Sequence, residues 1–154
     1  MITALSVEEL PTIKDFGMAF YAETQMPGGF HPEKFVALWT HLMMMGLGAI
    51  LVARNAQGVI VGGLGCMTAP DVYDGDATAL ECFIYVLPEK RGGMTFFRLL
   101  RAYEDWAAQQ GVAPDNIRVA CMEGYRPDDL EAAYRKLGYV PLERHFQKRS
   151  LAHA

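Results

Sequence analysis

A chain of 154 residues with 51% hydrophobic and 21% charged side chains has the length of one domain and enough apolar material for one core, which excludes disordered and fibrous classes. The formal net charge of −4 argues against an open nucleic-acid surface, because a phosphate backbone calls for a strongly basic face. The most apolar run, Leu42 to Ala53, is broken by Gly46 and Gly48 and is too short to span a bilayer.

The first residues lack a basic stretch leading into an apolar core, so no secretory leader is read and a cytoplasmic protein is expected. Cys66, Cys82 and Cys121 lie in apolar, strand-like stretches without metal-ligand or redox spacing, so buried reduced thiols are expected. No metal site is read.

Taken in order, Ile2–Leu5 suits a short first strand. Ser6 and Glu9 stand at capping-box spacing before Leu10, Ile13, Phe16, Gly17 and Phe20, which recur at helical period. Pro11 suits a first helical position and shifts the start of that helix towards itself, and the helix ends near Thr24. The Pro-Gly content of residues 25–30 makes a loop. Pro32 opens a second helix with Phe35, Leu38, Trp39, Leu42 and Met43 on one face and Gly46 as its stop. The run Met43-Met44-Met45 suits either core or an adaptable groove.

Ala49–Ala53 and Val59–Met67 form strands about the turn Asn55-Ala56-Gln57-Gly58. Gly62, Gly63 and Gly65 in the second of them point to a bulge or a close approach by another group. Residues 70–76 form an exposed loop whose Asp71, Asp74 and Asp76 lack calcium-loop spacing.

The segment Leu80 to Val86 reads as a buried strand containing one carboxylate, Glu81. Leu87-Pro88-Glu89-Lys90-Arg91-Gly92-Gly93 comes next as a turn, and Phe96, Leu99, Leu100, Tyr103, Trp106 and Ala107 keep helical period up to Gly111. A helix start presents unpaired N–H groups and a partial positive charge, and glycines permit close approach, so this strand–turn–helix is an anion-binding design. Lys90, Arg91 and Arg98 are the basic residues beside it.

Asn116–Met122 is a further strand, reached by a helical crossover and therefore expected parallel to its neighbour. Asp128 and Asp129 open a helix with Leu130, Ala133, Tyr134 and Leu137 on its inner face, and Gly138 stops it. Residues 139–142 and 144–148 suit a final hairpin, which puts His145 on a last strand where either an acceptor contact or a surface position is open to it. His31, His41 and His153 receive no role.

Val86, Pro88, Arg91, Gly92, Leu99 and Leu100 match a strand, Val-x-Pro and Arg-Gly-x-Gly-x-Gly/Ala motif that opens a helix carrying Leu-Leu. Ala133-Tyr134-Arg135-Lys136-Leu137-Gly138-Tyr139 matches a second motif, Tyr-x-Lys-Leu-Gly-Phe/Tyr. With these two motifs and its element order the chain, residues 1–154 as one domain, resembles the GNAT family, the Gcn5-related N-acetyltransferases. The segment Arg91-Gly92-Gly93 with a bulky helix start is also similar to GNAT-like proteins of bacteriophages, which would act inside the host.

The resemblance implies an α+β fold with about four helices around a mixed, mostly antiparallel sheet of six to seven strands, splayed at a parallel pair where the cofactor binds. It implies acetyl-coenzyme A as co-substrate and direct attack of an amine on the thioester in a ternary complex. The acceptor would be a small amine, a protein N-terminus or a lysine, with neither nucleic acid nor membrane as partner and a monomer or homodimer as the working unit.

By the same resemblance Val86, Lys90, Arg91, Gly92, Gly93, Met94, Thr95 and Arg98 would bind the cofactor, with Arg91 the foremost phosphate contact. Glu81 is the candidate base, because burial on an apolar strand raises a carboxyl's pKa, and Tyr134 is the candidate acid towards the coenzyme sulfur. The second and third family glycines fall on Met94 and Phe96, whose side chains stand where the pyrophosphate meets bare backbone. The rival reading is therefore a GNAT-fold module without coenzyme binding, acting as an interaction or particle-associated protein.

Overall fold

A computed structural model describes residues 1–148; His153 lies outside the described residues. The elements are β1 (Ile2–Ala4), α1 (Lys14–Thr24), α2 (Pro32–Met44), β2 (Gly48–Arg54), β3 (Ile60–Pro70), β4 (Ala77–Val86), α3 (Thr95–Gln109), β5 (Ile117–Arg118) and α4 (Pro127–Lys136). The strands form one sheet in the order β1-β2-β3-β4-β5, antiparallel except for the parallel pair β4–β5. Among the described residues no helix is long and apolar enough to cross a membrane.

The sheet is covered on both faces, which is why β2 and β3 read as nearly continuous apolar runs rather than as alternating patterns. Ala49, Leu51, Leu64, Cys66, Ile84 and Val86 face Leu99, Leu100, Tyr103 and Tyr134 of α3 and α4. Ile50, Val52 and Tyr85 face Leu10, Ile13 and Phe16 around the start of α1, with Trp39 of α2. The period-two alternation along each strand thus assigns its residues to two cores.

Local chemistry sets most boundaries. The capping-box pair makes one of its bonds, Ser6 N to Glu9 Oε2 at 3.0 Å, but Leu10–Ile13 then form a 3₁₀ turn. Pro11 sits in that first turn and α1 proper begins only at Lys14. Gln25, left-handed at φ 49°, ends α1. Leu38 is 56% exposed, so the inner face of α2 runs through Phe35, Val36, Trp39, Leu42 and Met43 instead. Met44 and Met45 are exposed, and neither they nor Met43 reach the cleft between β4, α3 and α4.

The register of β3 against β4 slips once. Gly65 pairs with Phe83 and Cys66 with Glu81, leaving Cys82 without an opposite residue. This bulge turns Glu81 to the same side as Ile84, towards α3 and α4; in an unbroken strand residues three apart would face opposite ways. Gly65 is required here, because the Phe83 ring occupies the space a Cβ would fill. The glycines of β3 therefore signalled both a bulge and a close approach.

Three expectations are corrected. β5 is two residues long rather than seven, since the chain leaves β4 after Arg118. The final hairpin is absent: residues 139–148 carry no strand, and Val140, Leu142 and Phe146 are 79%, 67% and 91% exposed. Pro141 in the middle of the first predicted strand has no N–H to offer a ladder. The described sheet accordingly has five strands rather than six or seven. Of the cysteines only Cys66 is buried; Cys82 lies in the bulge and Cys121 beyond the short β5, and both are exposed free thiols.

Candidate active site

The chain between β4 and α3 folds into a short 3₁₀ turn at Pro88–Lys90, an extended Arg91, and Gly92 at φ +80°, a left-handed conformation that favours glycine. α3 then starts at Thr95 with no side chain capping it. Among the described residues nothing accepts the N–H groups of residues 92 to 97, and the first backbone bond is that of Arg98 to the Met94 carbonyl at 2.9 Å. A Cβ placed on Gly92 or Gly93 would meet nothing within 4 Å, so the backbone there is bare and open. Such a run of N–H groups at the positive end of a helix forms an anion cradle.

The cradle opens on a cleft of about 240 Å³ between β4, α3 and α4. Ile84, Val86, Phe96, Phe97, Leu130 and Ala133 supply apolar walls, while Lys90, Arg91 and Arg126 bring positive charge and Asp129 negative. The cleft exists because β5 pairs with β4 only at Ala79 and Leu80, so among the described residues the rest of β4 has no strand on that side. The parallel pair is indeed where the sheet comes apart.

Glu81 and Tyr134 are brought together by the backbone of one residue, Ala120. The Ala120 N–H donates to Glu81 Oε2 at 3.0 Å, and the Tyr134 hydroxyl donates to the Ala120 carbonyl at 3.2 Å. Burial pushes the Glu81 carboxyl up to about 7, against the opposing pull of the Ala120 N–H and the Tyr134 hydroxyl. Burial, with the Glu81 charge beside it, raises the Tyr134 phenol well above its ordinary value and keeps it protonated. Neither side chain lines the cleft, and Tyr134 is buried with its ring 6.0 Å from that of Phe96.

The cofactor candidates take up distinct positions. The Val86 side chain is buried in the core, and its carbonyl accepts from Arg91 Nε at 2.9 Å. The Thr95 methyl packs towards Gly62 of β3. Met94 is 58% exposed and does not line the cleft, so of the two bulky replacements only Phe96 narrows it. Arg98 is exposed outside the cleft lining, and Lys90 stands at its edge.

Arg91 is not a free basic residue. Its guanidinium forms a bidentate pair with Glu23 of α1, at 2.8 and 2.6 Å, and lies over the rings of Tyr85 and Tyr125 at 5.4 and 5.7 Å from their centroids. The Tyr85 hydroxyl donates to the same carboxylate at 2.8 Å. Hydrogen bonds from Arg91 hold the Glu23 carboxyl below the usual carboxylate range.

Glu23, Tyr85 and Tyr125 escaped the sequence reading. For Glu23 there was one physical signal: an acid in the last turn of a helix faces the negative end of its dipole and calls for a cation nearby. Tyr125 and the left-handed Arg126, φ 43°, belong to an irregular segment and leave no periodic trace. His145 is exposed, 3.1 Å from Glu143.

A split mixed sheet with a helix-start cradle beside the split defines the acetyltransferase fold of the GNAT class. The chain has that fold over nearly its whole length. A ribosomal-protein-alanine N-acetyltransferase from Brucella melitensis biovar Abortus 2308 superposes with a TM-score of 0.71 at 19% identity, covering 97% of this chain and 99% of the other. An aminoglycoside acetyltransferase from an uncultured soil metagenomic sample, in complex with trehalose, gives 0.75 at 19% identity, with 97% and 95% covered. AAC(6')-Iy, bound to a bisubstrate analogue of coenzyme A and monomethyl-acetylneamine, gives 0.72 at 18% identity, with 97% of each chain covered. No family model and no curated protein matches the sequence. At these identities the likeness is one of fold.

Proposed function

We propose that the protein is an N-acetyltransferase that moves an acetyl group from acetyl-coenzyme A to a primary amine. The observation that carries this is the bare N–H run at residues 92 to 97, open on a cleft in a fold shared with an enzyme holding a coenzyme A analogue. The residues present fit a pyrophosphate: the glycine pair offers backbone without a Cβ, and Lys90 stands beside it.

Acetyl-coenzyme A supplies an activated thioester carbonyl. The attacking amine forms the C–N bond as the C–S bond breaks, and it must arrive having lost a proton. Glu81 takes that proton, directly or through a water, because a carboxyl with its pKa at about 7 is divided between its two forms at neutral pH. Tyr134 keeps its phenol proton under all physiological conditions and serves the leaving thiolate as a hydrogen-bond donor, while the proton taken up by Glu81 passes to that thiolate or to water. The Ala120 backbone, through its N–H and its carbonyl, holds both groups beside each other. Phe96 must turn aside for either to meet a thioester in the cleft.

The acceptor is an amine-bearing small molecule, a protein N-terminus or a lysine. Release of free thiol from acetyl-coenzyme A, measured with aminoglycosides, polyamines and short peptides, tests the proposal. Amine-dependent thiol release supports it; no release with any amine, together with no coenzyme A binding by calorimetry, sinks it. The Phe96 ring against Tyr134 favours the second reading, a non-catalytic module of the same fold, which that last result would select.

A further inference from the structure

Arg91 reaches α1, the end of β4 and the segment before α4 at once. Its Nε bonds the Val86 carbonyl, its two terminal nitrogens bond both oxygens of Glu23, and its face lies over Tyr85 and Tyr125. The pair is partly screened from water, with side-chain exposures of 20% and 30%. A guanidinium held in a two-point fork and flanked by two rings has little freedom left to follow a ligand. The residue next to it is Gly92, whose left-handed backbone begins the open N–H run.

We infer that Glu23 is a positioning residue for the phosphate-binding turn: by fixing Arg91 it sets the conformation in which residues 92 to 97 present their N–H groups, and Arg91 acts as a pillar of the turn instead of a phosphate ligand. This rests on the reading that the turn receives the pyrophosphate of coenzyme A. It also ties the end of α1 to the turn, so that displacement of either is felt by the other.

The two roles of Arg91 predict opposite signs for Glu23. If the carboxylate positions the turn, Glu23→Gln leaves the turn ill-defined and weakens anion binding. If it merely sequesters a phosphate ligand, removing it frees Arg91 and tightens binding. The experiment is calorimetric titration of coenzyme A, and separately of inorganic pyrophosphate, into wild type, Glu23→Gln, Arg91→Gln and the double variant at two salt concentrations. Each single variant is expected to bind both ligands about fivefold more weakly, the affinity equivalent of one partly exposed ion pair. The double variant should be no weaker than either single one, and the salt dependence should be unchanged, because no phosphate contact has been removed.

Tighter binding in Glu23→Gln, or a shallower salt dependence in Arg91→Gln, overturns the inference. Wild-type protein that binds pyrophosphate but not coenzyme A rejects the acyltransferase reading while the Glu23 comparison is still read on pyrophosphate. Binding of neither rejects both.

Discussion

Glu81 owes its proton affinity to where the bulge puts it. Its carboxyl is pushed from the ordinary 4.5 up to about 7 by burial, with no acidic partner among the causes. A group whose pKa is raised on folding adds stability fully only below the unfolded value, and that stability is lost as pH climbs through the folded value. Glu81→Gln keeps an oxygen for the Ala120 N–H and removes the cost of a buried charge. It should therefore raise unfolding stability by about 1–3 kcal/mol at pH 8 and leave it unchanged near pH 4, measured by urea denaturation at both. In the proposed reaction wild-type turnover should fall on the acid side of about pH 7, and the variant should be slow with no such limb. Glu81 was legible in the sequence as the one carboxylate inside an apolar strand. Glu23 was not, because its partner lies 68 positions away and only the sheet brings α1 and the turn together.

Between β4 and α3 the two glycines separate backbone strain from ligand space. Gly92 has φ +80° and Gly93 does not, yet a Cβ on either would enter open space. Gly93→Val should fold with a stability change of about 1 kcal/mol or less, while weakening coenzyme A binding by more than about tenfold in calorimetry. A stable variant with unaltered affinity would move the phosphates elsewhere. Gly65→Ala tests the bulge: its methyl would collide with the Phe83 ring in a packed sheet, so a loss of about 2–4 kcal/mol is expected in thermal or urea unfolding. Periodicity and stop signals made α2, α3, α4 and the β2–β3 hairpin readable, since each is settled by nearby residues. The length of β5 was not readable. An apolar stretch such as Ile117 to Met122 suits a strand equally well whether or not a neighbour continues beside it, and pairing is a property of the neighbour. For the residues after Gly138 a contrary sign was present, since Pro141 interrupts the stretch with a residue that has no N–H for a ladder.

At the scale of the whole molecule, an acidic chain sets a few basic groups around one mouth. Arg91 and Arg126 at the cleft are paired with Glu23 and Asp129, so Lys90 and the open N–H run are left to attract a polyanionic ligand although the formal net charge is −4, and that local attraction should weaken with salt. A ligand bound only by the folded state stabilises it by about 2.7 kcal/mol at a hundredfold excess over its Kd, which for a protein of this size is a rise in Tm of about 5–10 °C. Thermal melts with saturating coenzyme A should show that rise, and an unchanged Tm would remove the cofactor from the account. The brevity of β5 bears on one further property. Past Leu80 the outer edge of β4 carries backbone donors and acceptors without a strand beside them among the described residues, the kind of border that invites a foreign strand and aggregation. Here Ile84, Tyr85 and Val86 of that border line the cleft together with residues of α3 and α4, so the edge is turned inward between two helices. The same missing pairing thus both hollows out the molecule and turns its open edge towards the cleft.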